Sequence, residues 1–184
     1  MSSDFDIAIV GAGAAGLAAG IFAAQTRPHL RIGLCDGARA IGAKILVSGG
    51  GRCNVTNERV TASDFHAPRR IVERILRRFD EHDTVGWFES MGVRLKLEPT
   101  GKLFPDTNKA RTVLETLVRR CHELGVMLMT QHRVKKIAPT PNGFQIFHEE
   151  GHVNARQVIM ATGGQSLPKS GSDGHGWSMV RKLG

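Results

Sequence analysis

Asp6-Ile-Ala-Ile-Val-Gly11-Ala-Gly13-Ala-Ala-Gly16-Leu-Ala-Ala-Gly20 decides the fold of this chain. An apolar run, a glycine turn and an Ala-rich stretch follow one another without a break, the pattern of a buried strand turning into a helix. Such a turn leaves backbone N–H groups and the positive end of the helix dipole free to hold a pyrophosphate. Gly11 permits the tight turn, Gly13 the approach of phosphates, and Gly16 the close packing of helix on strand. A second apolar run, Arg31-Ile-Gly-Leu-Cys35, ends at Asp36, twenty residues beyond Gly16. A carboxylate there accepts both hydroxyls of an adenosine ribose. The stretch predicts an α/β dinucleotide-binding domain around a parallel sheet.

With 184 residues the chain makes one large domain or two small ones. Its net charge of +8 would suit an acidic partner, so the basic residues need placing. The densest run, Arg69-Arg70-Ile-Val-Glu-Arg74-Ile-Leu-Arg77-Arg78-Phe79, reads as an amphipathic helix. Ile71, Val72, Ile75, Leu76 and Phe79 form its buried stripe, and the arginines take the solvent face. The chain has no tyrosine and few aromatics on which bases could stack. Nucleic acid is therefore not the expected partner. Cys35, Cys53 and Cys121 form no CxxC pair, which predicts neither a metal site nor a disulfide framework. The start Met-Ser-Ser-Asp-Phe-Asp lacks a basic n-region, and the small-residue run Ala12–Ala24 is too short to span a bilayer. The expectation is a cytoplasmic protein without a membrane segment.

After Asp36 a glycine-rich connection of no obvious regular structure runs from Gly37 to Asn57. Helices are expected at about Pro68–Phe79, at Thr84–Met91 closed by Gly92, and at Lys109–Leu124 with Gly125 just past its end. Strands are expected at Val93–Leu97, Val126–Met129 and Val134–Ala138, with a hairpin of Phe144–His148 and His152–Ala155. A further apolar strand, Gln157–Ala161, runs into Thr162-Gly163-Gly164, and a last helix ends at Gly184. That helix should lead into another strand, which suggests a piece of something longer.

Two features separate flavin from nicotinamide dinucleotides. An NAD enzyme of the short or medium dehydrogenase type would continue into further βα units, whereas this chain inserts Ser48-Gly49-Gly50-Gly51-Arg52-Cys53-Asn54. Backbone free of side chains can approach a flat ring, with Arg52 and Asn54 offering hydrogen bonds to phosphate or flavin oxygens. The glycines after Ala161-Thr162 likewise let a cofactor lie against the strand end. Other motifs fail. Gly37-Ala-Arg-Ala-Ile-Gly42-Ala-Lys44 mimics a phosphate loop but has Ala before Lys and Ile after it. Cys53 has no partner for a dithiol, Gly171-Ser-Asp-Gly174-His-Gly176 has the wrong spacing for a second dinucleotide turn, and His66 and His175 stand alone.

The strings Gly42-Ala-Lys44, Ser48-Gly-Gly-Gly-Arg52-Cys53-Asn54-Val-Thr-Asn57, Gly101-Lys102-Leu-Phe104-Pro105 and Ala161-Thr162-Gly163-Gly164, joined to the glycine turn, resemble the aminoacetone-oxidase-like FAD-binding family. The BaiN/YhiN-like flavoproteins belong to it. The resemblance implies a Rossmann-like FAD-binding domain with a central parallel sheet and a small β-meander, 1–184 being its N-terminal part. A β-rich second domain and a C-terminal segment closing the flavin site would lie outside this chain, leaving it inactive alone. The resemblance further implies that Gly11, Gly13, Ala14, Ala15 and Gly16 contact the pyrophosphate and Asp36 the ribose. Lys44, Ser48, Gly50, Arg52, Cys53 and Asn54 would lie near pyrophosphate and flavin, Val134 would meet adenine through its backbone, and Ala161, Thr162 and Gly163 would line the cofactor. The family it resembles usually carries Glu where this chain has Asp36. The implied activity is FAD-dependent oxidation or reduction of a small molecule, with NAD(P)H as a candidate electron donor. Alternatives are an FAD-dependent RNA-modifying enzyme and a non-catalytic nucleotide-binding module. No catalytic acid or base stands out.

Overall fold

The computed structural model describes residues 4–166, 168 and 171–184. It divides into two compact units, Met1–Lys44 with Leu117–Gly184, and Ile45–Thr116.

The first unit is built on β1 (Phe5–Val10). Its side chains are buried on both faces, so it occupies the middle of a sheet. The glycine turn leads into α1 (Ala14–Thr26), which buries Gly16, Leu17, Gly20, Ile21 and Ala24 on one stripe. The helix lies close because a Cβ on Gly20 would already touch Val126 at 3.3 Å. β2 (Ile32–Cys35) pairs parallel with β1 from Ile7↔Ile32 to Val10↔Cys35. β6 (Met127–Met129) lies parallel beyond β2, and β9 (Gly151–Met160) parallel on the other side of β1. The antiparallel strands β8 (Gly143–His148) and β7 (Lys136–Thr140) complete the order β6-β2-β1-β9-β8-β7. The expected fold, a parallel sheet extended by a meander, is the one observed. Phe5, Val10, Cys35, Val134, Ile137, Ile146 and Met179 pack into one core cluster.

Two strand boundaries differ from the sequence reading. The expected strands His152–Ala155 and Gln157–Ala161 are a single strand, β9. Its first half pairs with β8 and its second with β1, from Phe5↔Ala155 to Val10↔Met160. Arg156 and Gln157 interrupt the apolar pattern because they are exposed, and the Arg156 guanidinium lies 3.5 Å from the Asp6 carboxylate. β7 also starts two residues later than expected and contains Pro139. The proline is tolerated because β7 is an edge strand, paired only with β8.

The second unit contains the antiparallel sheet β3-β5-β4, formed by β3 (Thr56–Asn57), β5 (Lys102–Pro105) and β4 (Leu95–Leu97). Its helices are α3 (Arg69–Leu76) and α4 (Glu81–Ser90). α4 begins before the expected Thr84 because Asp80 caps it, accepting from the N–H groups of His82 and Asp83 while Asp83 returns to the Asp80 N–H. The stretch expected to lack regular structure holds α2 (Ala43–Val47), a 3-10 turn at Ser48–Gly51, and β3. The stripe on α3 is only partly buried. Val72 is covered, whereas Ile71 and Ile75 are 48% and 57% exposed beside the arginines. α5 (Ala110–Glu123) runs across the boundary between the units and ends, as expected, before a left-handed Gly125. Among the described residues no helix is long and apolar enough to cross a membrane.

Candidate dinucleotide site

The glycine turn is held from three sides. The Gly11 N–H donates to the Cys35 carbonyl at the end of β2, and the Ala161 N–H donates to the Val10 carbonyl. Gly11 has φ +106°, and a Cβ there would lie 2.6 Å from the Ala161 carbonyl oxygen. A Cβ on Gly16 would lie 1.8 Å from the Gly11 carbonyl oxygen. These two glycines therefore serve packing. Gly13 differs: it forms the N-cap of α1 with no side-chain cap, and a Cβ on it would meet nothing within 4 Å. Ala14 and Ala15 are exposed, and no acidic side chain occupies the first turn. The uncapped N–H groups at this end of a 13-residue helix suit an anion.

Asp36 is tied into the same turn. Its Oδ2 accepts the Ala12 N–H at 2.6 Å and its Oδ1 accepts the Ala38 N–H at 2.8 Å. A carboxylate oxygen has two lone pairs, so each can still accept a ribose hydroxyl. The Asp36 carbonyl accepts the His132 N–H, which brings the segment after β6 alongside. There Arg133 packs on Gly37, where a Cβ would meet its side chain at 2.8 Å. Val134 follows, 5% exposed, its side chain in the core cluster. The Arg133 guanidinium also pairs with Asp173. The His175 N–H and then Arg133 hold the Asp173 carboxyl below the ordinary carboxylate range.

Lys44 reaches the end of β9. Its Nζ donates to Ser172 Oγ at 2.8 Å, and Ser172 Oγ donates to the Gly164 carbonyl at 2.8 Å. Gly163, at φ +73°, leaves the space the ammonium fills, since a Cβ there would lie 2.6 Å from Nζ. Thr162 packs on the start of α6 (His175–Arg181), its hydroxyl occupying the place of a Cβ on Gly176. The first unit thus brings together the turn, Asp36, Lys44, Val134 and Ala161–Gly163. Ser172 and Arg133 were missed by the sequence reading. Ser172 lay in the Gly171–Gly176 run, which glycine spacing alone had dismissed.

The remaining expected residues form a loop inside the second unit. Gly49, Gly50 and Gly51 have φ of +55°, +68° and +85°, and Cys53 follows at +63°. Left-handed backbone at Cys53 costs about 1 kcal/mol or more and is held by its N–H donating to the Ser48 carbonyl. The Cys53 side chain is 8% exposed, and burial pushes its thiol up against the opposing effect of the Ser48 hydroxyl. It is a packing residue rather than a reactive thiol. Ser48 Oγ donates to the Ile45 carbonyl at 2.8 Å. Arg52 pairs with Glu98 at 2.5 Å and lies 4.0 Å over the Phe104 ring. The Asn54 amide, oriented to donate, reaches the Thr56 and Leu103 carbonyls at 2.8 and 3.2 Å. Arg52 and Asn54, expected to offer bonds to a cofactor, thus have partners within the second unit, whereas a Cβ on Gly50 would meet nothing within 4 Å.

Residues 5–184 match the family model described as the HI0933-like protein Rossmann domain. Among curated proteins, the 3-dehydro-bile acid delta(4,6)-reductase of Clostridium scindens is 34% identical over 97% of this chain and 44% of its own length. The ribosomal RNA dihydrouridine synthase of Escherichia coli is 31% identical over 98% of this chain and 44% of its own length. The chain therefore spans under half the length of these relatives. Among solved structures, the 3-ketosteroid-delta4-(5alpha)-dehydrogenase of Rhodococcus jostii RHA1 superposes with a TM-score of 0.70 at 17% identity, covering 100% of this chain and 55% of that one. A flavocytochrome c3 fumarate reductase gives 0.64 at 20% identity, with coverages of 98% and 40%. At these identities the structural matches establish the fold alone. They agree with the Rossmann-like arrangement of the first unit.

Proposed function

The chain belongs to the HI0933-like Rossmann-domain family, and we propose that it is the FAD-binding part of an oxidoreductase acting on a small molecule. One observation carries the reading: the uncapped start of α1 beside an open Gly13, with Asp36 bonded to the same turn. The N–H groups of Ala14, Ala15 and Gly16 hold the pyrophosphate there, and Asp36 accepts the ribose hydroxyls. The Val134 backbone, carried beside the acid by Arg133 and His132, meets the adenine. Ala161–Gly163 provide backbone for the rest of the cofactor, Gly163 in the left-handed conformation at the end of the strand. Bound FAD supplies two-electron chemistry, a hydride accepted or released at the flavin. NAD(P)H is the proposed donor. The unpaired thiols of Cys35, Cys53 and Cys121 suit a reducing compartment, the cytoplasm.

Acid release of cofactor from purified protein, followed by mass measurement, tests this reading. Flavin adenine dinucleotide, with visible absorbance before release, is the expected result. NAD recovered without flavin overturns it.

A second reading, modification of RNA, is favoured by one observation: Arg70, Arg74 and Arg77 line an open groove with Ile71 on α3. The buried stripe that made these arginines mere solvent cover is half exposed, and some relatives carry the name ribosomal RNA dihydrouridine synthase. RNA binding that is tight and sequence-selective at physiological salt would promote this reading. Weak binding without sequence preference, lost steeply as salt rises, is what the arginines alone would give.

A further inference from the structure

Lys44 is half-buried, and among the described residues no carboxylate faces it. Among the described residues it makes no ion pair, and one hydroxyl, Ser172 Oγ, accepts one of its three N–H donors. An ammonium drawn away from water is stabilised by an anion beside it. Ser172 is itself 1% exposed and spends its own proton on the Gly164 carbonyl. Its oxygen is thereby fixed as an acceptor aimed at Nζ. The ammonium rests where only a glycine leaves room, on Gly163, two residues from the Ala161 carbonyl that closes the pyrophosphate turn.

Resting on the FAD reading above, we propose that Ser172 is a positioning residue that aims the Lys44 ammonium at an anionic group of the bound dinucleotide. Two groups share that chemistry, the pyrophosphate and the pyrimidine edge of the flavin, whose negative charge grows on reduction. Lys44 keeps two N–H donors for either.

The test compares wild type with Lys44→Met, Ser172→Ala and the double variant. Affinity for FAD, affinity for ADP as a pyrophosphate probe, and the midpoint potential of bound flavin are measured on each. Lys44→Met should weaken FAD by about ten- to hundredfold, the effect of one charge-assisted hydrogen bond. An equal loss for ADP identifies the pyrophosphate as the anion. Unchanged ADP affinity with a lower potential, by about 30 mV for each tenfold preference for reduced flavin that is lost, identifies the flavin. Ser172→Ala should move the same quantity as Lys44→Met, by about threefold, and add nothing in the double variant. Thermal melts confirm that each variant folds. If Ser172→Ala melts early, Ser172→Cys, which keeps the volume but accepts poorly, replaces it with the same expectation. Lys44→Met with wild-type affinities and potential overturns the proposal, and full additivity in the double variant overturns the role of Ser172. Wild-type protein that binds no FAD overturns the FAD reading itself.

Discussion

One carbon atom, added in turn to Gly11, Gly13 and Gly16, separates packing from ligand approach. On Gly16 the new methyl would lie 1.8 Å from the Gly11 carbonyl oxygen, where ordinary contact begins at 3.4 Å. That oxygen is backbone and cannot rotate away, so α1 must lift off the turn. The overpacking cost is about 3 kcal/mol, the upper end of what such insertions produce. For a chain of this length that lowers Tm by roughly 6–12 °C. Gly11→Ala meets the Ala161 carbonyl oxygen at 2.6 Å and adds the strain of a left-handed alanine, about 1–2 kcal/mol. Gly13→Ala meets nothing, and its φ of −80° with ψ of −171° is backbone that alanine adopts freely. Its Tm should stay level or rise slightly, because the unfolded chain loses freedom. Yet its methyl enters the space where the pyrophosphate approaches, so FAD should bind about tenfold more weakly, a loss of about 1.4 kcal/mol. Melts followed by circular dichroism and titration with FAD give both quantities. Gly16→Ala melting with wild type, or Gly13→Ala binding FAD as wild type does, would refute the reasoning.

Asp36→Ala should weaken FAD about ten- to hundredfold and cost about 1–3 kcal/mol of stability without cofactor, since the Ala12 and Ala38 N–H groups lose their acceptor. Calorimetry against FAD checks the first and urea unfolding of cofactor-free protein the second; an unchanged urea midpoint would show that the two bonds add nothing. The thiols of Cys35 and Cys121 are pushed up to about 11 by burial from an ordinary value of 9.0. A neutral thiol favoured by the fold adds stability that is full below pH 9 and fades as pH rises towards 11, by about 2–3 kcal/mol each. Urea midpoints at pH 8, 9, 10 and 11 should fall across the last three, and a flat series would contradict the burial.

The parallel half of the sheet was legible because its strands are apolar on both faces and its glycines recur at fixed spacing. Gly11 and Gly16 do what the motif says. The meander was legible through Pro141-Asn-Gly143 and Glu150-Gly151, but β9 was split because Arg156 looked like a break. The pairing of Arg156 with Asp6 is a long-range fact that local periodicity does not contain. The α3 stripe failed for a related reason. Amphipathic spacing shows that a helix has an apolar face, whereas only the packing shows how much of that face finds a partner. The glycine loop was read as a cofactor cradle from its composition. What composition does not show is that its side chains also have protein partners, Arg52 with Glu98 and Phe104, Asn54 with the end of β5. Glu98 lies 46 positions from Arg52, beyond any local window.

Asp36 shows how a departure from a family pattern can be absorbed. A glutamate at this place has a longer reach towards the ribose. The shorter aspartate instead sits close enough to take the Ala12 N–H at 2.6 Å, between the two glycines of the turn. The acid and the turn become one hydrogen-bonded piece, fixed further by the Asp36 N–H on the Met129 carbonyl and the Asp36 carbonyl on the His132 N–H. Four bonds from one residue hold three segments, the turn, the end of β2 and the chain leaving β6. A carboxylate held this way would lose little freedom to an arriving ribose, so in the proposed role preorganisation would offset the reach given up by one methylene. The same bonds carry the segment of Arg133 and Val134 alongside Asp36 and Gly37, the side proposed above for adenine. In this chain Asp36 is a structural hinge-pin first, and the ribose role proposed for it would follow from that.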